Sequence, residues 1–78
     1  MGTLRVIKAL LRAEGPVTKY WIEKESGVYD AGPILKRLAR QGIVRVIADY
    51  NPPRYEIDRN NAFIKELARF LARVGYLF

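Results

Sequence analysis

Lys36, Arg37 and Arg40 are the residues whose type and spacing point most directly to chemistry. They lie within about one helical turn of each other, in a segment whose apolar residues Ala31, Leu35 and Leu38 keep to the opposite side. Three cations on one helix face can neutralise phosphates and release the counterions condensed on a polyanion. The bland alternative is a solvated face that complements the negative end of the helix dipole. On the residues alone both readings stand.

The neighbours extend the first reading. Arg54 would sit at the base of a β-hairpin, where a guanidinium can reach a phosphate or a minor groove. Arg45 lies on the opposing strand, where a charge also discourages edge-to-edge aggregation. Tyr29 and Tyr50, one before the cationic helix and one at the hairpin tip, could stack or donate to phosphate. Trp21 is expected to pack in or over the core, because large aromatics supply much of a small domain's burial.

Catalysis has little to work with. The chain contains no Cys and no His, so thiolate nucleophiles, disulfides, the usual zinc ligands and the commonest general base are all missing. Glu23 and Glu25 are the nearest thing to a carboxylate pair, but residues two apart on a helix point to different sides and cannot converge on one substrate. They are read as solvated charges. The expectation is a chain without enzymatic activity, cofactor or metal.

The 14 Lys and Arg against 8 Asp and Glu give a net charge of +6, which favours an anionic partner. The excess is uneven. Residues 31–54 hold five cations and one acid, residues 1–30 five and four, and residues 55–78 four and three. No apolar run approaches the roughly 18 residues of a bilayer span, and the beginning of the chain has no signal-peptide layout. A cytoplasmic protein without membrane association is expected.

These residues need elements to hold them. Leu4, Ile7, Leu10 and Leu11 recur at helical spacing with Arg5, Lys8 and Arg12 between them, and Gly15-Pro16 is expected to end that first helix. Thr18 can cap a short second helix that carries Tyr20, Trp21 and Ile22 to Gly27. Asp30 is the expected cap of the third, cationic helix, which tolerates Pro33 in its first turn and stops at Gly42. The β-branched run Ile43 to Ala48 and the segment Arg54 to Ile57 form a hairpin across Asp49-Tyr50-Asn51-Pro52-Pro53. A last helix starts at Asn60 or Asn61 and runs almost to the end. The whole is one domain over residues 1–78, with residues 59–78 as the final helical part.

Three helices followed at once by a hairpin make a helix-turn-helix plus wing. Through Ala31, Leu35, Leu38, Gly42, Ile43 and Val44, and the return strand Arg54-Tyr55-Glu56-Ile57, the chain resembles small winged-helix transcription regulators of prokaryotes, especially archaeal ones and the MarR and ArsR types. The resemblance implies an α+β, mainly α fold: a winged helix-turn-helix with a C-terminal dimerisation helix. It also implies double-stranded DNA as the ligand, with repressor-like regulation or a weakly sequence-specific architectural part as the role. Tyr29, Gly32, Pro33, Lys36, Arg37, Arg40, Arg45, Tyr50 and Arg54 would form the DNA face. Gly32 and Pro33 depart from the pattern, standing where such regulators often carry polar side chains that read bases. No Cys and His cluster of the ArsR kind is present.

The last helix has more apolar surface than one packing contact needs. Phe63, Leu67, Phe70, Val74 and Leu77 form a stripe that Ile64, Leu71 and Phe78 widen, and a two-fold homodimer centred on them is expected. The rival function is a protein-interaction module of transcription or replication in which the basic face is incidental. RNA binding is a lesser reading, because A-form grooves do not admit a helix in the same way.

Overall fold

The computed structural model describes residues 2–76. Four helices and a three-stranded antiparallel sheet follow one another as α1 (Gly2–Arg12), β1 (Val17–Thr18), α2 (Lys19–Ser26), α3 (Gly32–Arg40), β2 (Val44–Ile47), β3 (Arg54–Ile57) and α4 (Ala62–Arg73). The sheet order is β1-β3-β2. The α+β, mainly α class is as expected, and the arrangement is compatible with a helix-turn-helix followed by a wing.

Each helix enters the core with one stripe. Val6 and Leu10 of α1, Ile22 of α2, Leu35 and Leu38 of α3, Val44 and Ile57 of the hairpin, and Ile64 of α4 form one buried cluster, with Trp21 packed against it. Burying one such aliphatic side chain contributes roughly 1.5–3 kcal/mol. No polar or charged residue is buried as a whole among the described residues, although the Nε of Arg54 is buried without a hydrogen-bond partner.

The helix ends explain the spacing of the elements. The Thr18 hydroxyl accepts from the Trp21 amide at 3.1 Å, as expected of a cap. The end of α3 is a Schellman motif: Gly42 has φ +75°, its amide donates to Ala39, and the Ile43 amide donates to Leu38 at 2.9 Å. This closure sets Ile43 on Leu38 in the core and starts the hairpin without a linker. The end of α4 repeats it through Gly75, with the Tyr76 amide donating to Leu71.

Two expectations need correction, and one strand is not foreseen. Gly15 does not take the left-handed conformation. The end of α1 is instead tied down by the Arg59 guanidinium, which donates to the carbonyls of Leu11 and Ala13 at 3.2 and 3.1 Å. A strand that no local pattern announces, β1, pairs Val17 with Tyr55 and Thr18 with Arg54. Ile64 and Leu71 are not free to form a dimer interface, because they are 1% and 4% exposed within the chain's own core.

Candidate nucleic-acid interface

α3 stands beside the hairpin, and the Glu23 carboxylate fixes how the chain enters it. Glu23 accepts from the Ala31 amide at 2.9 Å and from the Lys19 ammonium at 3.1 Å. The Ala31 amide first, then the Lys19 ammonium, hold this carboxyl below the usual carboxylate range. Asp30 accepts from the Gly32 amide at 3.1 Å in an Asx turn, but the N-cap of α3 is Ala31, which makes no side-chain cap bond, so the cap expected at Asp30 is corrected. Glu23 therefore ties α2 to the start of α3, a task that its reading as a solvated charge missed. No spacing rule reveals it, because the contact spans eight residues and a loop.

Between α3 and the strands lies an open groove of about 690 Å³, lined by Gly32, Pro33, Lys36, Arg37 and Arg40 together with Val46 and Tyr55. Five of the nine expected DNA-face residues thus come together. Lys36, Arg37 and Arg40 are exposed and, among the described residues, belong to no ion pair. Arg37 donates to the Thr3 hydroxyl at 2.9 Å, which leans it toward α1. Gly32 is half-buried, and a side chain there would crowd Asp30 and Lys19 at 3.3 Å, so this position offers a close backbone and no reading group.

The other four residues lie apart from the groove lining. Arg45 pairs with Glu56 at 3.0 Å and with Asp58 at 3.7 Å. Its register opposite Glu56 puts it on the other sheet face from Val46 and Tyr55. Arg54 lies under Tyr50, with its guanidinium carbon 4.4 Å from the ring centre, and beside Thr18 and Trp21 at the base of the hairpin. Tyr29 is 97% exposed in the loop before α3.

On α4 the two faces divide cleanly. Phe63, Phe70 and Val74 are each more than half exposed, and Leu67 packs partly on the core. Phe63 and Leu67 also border an apolar groove of about 410 Å³ against Leu4 and Ile7 of α1. Leu77 and Phe78, the remaining expected interface residues, lie outside the described residues.

Among the described residues no group of three or more His, Cys, Asp or Glu is placed to hold a metal ion, and no helix is long and apolar enough to cross a membrane. Set against family models, curated proteins and solved structures, the chain matches none.

Proposed function

We propose that this chain is a winged helix-turn-helix protein that binds double-stranded DNA as a homodimer and catalyses nothing. The observation that carries the reading is the outer face of α3, where Lys36, Arg37 and Arg40 stand exposed and without acidic partners beside the β2–β3 hairpin. α3 enters the major groove, its cations meet the flanking phosphates, and Arg54 with Tyr50 touches backbone from the wing. Gly32 and Pro33 present no side-chain hydrogen bond to a base. Sequence preference is therefore weak, as in an architectural protein or a repressor that relies on DNA shape. Phe63, Leu67, Phe70 and Val74 of two copies pack about a two-fold axis and set one α3 per half-site.

Fluorescence anisotropy on a mixed-sequence duplex tests this. Wild type binds at low salt, and Lys36→Ala/Arg37→Ala/Arg40→Ala weakens binding tenfold or more while remaining folded. Absence of duplex binding at low salt contradicts the reading.

The groove floor favours a second reading. It is apolar, with Val46 49% exposed beside Tyr55 and Ala39, which suits an acidic amphipathic segment of a protein partner. That alternative requires salt-insensitive binding to a protein and no affinity for DNA.

A further inference from the structure

We infer that the outer stripe of α1 is a second polyanion-binding surface, and that its occupant is the phosphate backbone of a second DNA duplex. The inference rests on α3 as the first DNA face.

Arg5, Lys8 and Arg12 recur three and four residues apart, so they share one side of α1, away from the Val6 and Leu10 stripe that enters the core. At 1.5 Å rise per residue, Arg5 and Arg12 stand about 10 Å apart along the axis, with Lys8 between them. α1 contains no acidic residue.

Like Lys36, Arg37 and Arg40 of α3, these cations have no acidic partner among the described residues. Lys19, Arg45 and Arg69 each meet a carboxylate, whereas among the described residues Arg5, Lys8 and Arg12 meet none. Lys8 is instead positioned by an aromatic ring, its ammonium 4.3 Å from the centre of Tyr76. Tyr76 is held there by the Schellman closure of α4 at Gly75, so two helices converge to build the surface.

The three cations, Ser26, Tyr76 and one acid, Glu25, border a shallow depression of about 200 Å³. Two hydroxyls add phosphate-binding hydrogen bonds to the charge. Cations strung along a helix, rather than converging on a point, match an extended backbone better than a compact anion.

The stripe shares no residue with the α3 groove. On both helices the cations lie opposite the stripe that enters the common core. A chain that holds one duplex on α3 and another on α1 joins the two.

The test is capture of a fluorescent duplex by an immobilised duplex, run beside anisotropy on a single duplex. Arg5→Gln/Lys8→Gln/Arg12→Gln is expected to keep single-duplex affinity within about threefold and to lose capture tenfold or more. Arg5→Gln/Arg12→Gln, which retains the Lys8–Tyr76 contact, loses most of it, and circular dichroism confirms that both variants are folded. Lys36→Ala/Arg40→Ala loses both readouts. Capture that survives the α1 substitutions overturns the inference and leaves the α3 reading intact, since a dimer with two α3 faces then accounts for the bridging. Wild type that binds one duplex and captures none also overturns it. Single-duplex binding abolished by the α1 variant and untouched by the α3 variant sinks the proposed function and the second surface together.

Discussion

α3 and α4 each bury two large aliphatic side chains along one face, Leu35 with Leu38 and Ile64 with Leu71, and each ends on a left-handed glycine. Their outer faces differ. α3 presents Lys36, Arg37 and Arg40 and no large apolar side chain, whereas α4 exposes Phe63, Phe70 and Val74 among its charges. A helix needs only one apolar stripe to fold onto a core, so whatever lies outside that stripe is available for a partner. The spare surface of α3 suits a polyanion, and that of α4 suits another apolar face.

The comparison breaks first at the inner faces. Leu35→Ala and Ile64→Ala each remove an almost fully buried side chain and should cost roughly 2–5 kcal/mol, whereas Lys36→Ala and the monomer-level effect of Phe63→Ala should be far smaller. In a chain of this size 1 kcal/mol moves the Tm by about 4–8 °C, so thermal unfolding separates the pairs. Similar Tm values for Leu35→Ala and Lys36→Ala would mean that the two faces of α3 are misassigned.

Next comes the outer face of α4. Phe63→Ser/Phe70→Ser should convert a species of about twice 9.0 kDa to one of 9.0 kDa in sedimentation equilibrium, with the helical signal retained. A wild type that sediments at 9.0 kDa removes the dimer from the account.

The smallest effect sharpens the α3 side. Glu23 has its folded pKa depressed below the ordinary 4.5, so it contributes stability that is present above that value and lost as pH falls through the folded pKa. Wild type should therefore lose Tm more steeply on acidification below about pH 5 than Glu23→Gln does. Parallel curves would detach Glu23 from the start of α3.

Periodicity and local chemistry made much of this legible. Leu35 and Leu38 against Lys36 and Arg40 announce α3 and its two faces, Gly27 and Gly42 mark helix ends, and Thr18 and Asn61 cap α2 and α4. The rest depends on contacts distant in sequence. β1 exists only through its pairing with β3, and Arg59 reaches α1 from 46 and 48 residues away. Ile64 and Leu71 look no different in sequence from Phe63 and Phe70, and only the docking of α4 decides which pair turns inward. Counting charge by segment also concealed the stripe on α1: residues 1–30 nearly balance, yet Arg5, Lys8 and Arg12 share a face with no carboxylate but Glu25 beside it.

The central claim is that α3 meets phosphates, and the salt dependence of duplex affinity tests it most directly. A plot of log affinity against log salt concentration should be steep for wild type. In Lys36→Ala, Arg37→Ala and Arg40→Ala it should be shallower by about 0.9 for each phosphate no longer neutralised. A slope that these substitutions leave unchanged would contradict the assignment of α3 as the DNA-binding helix.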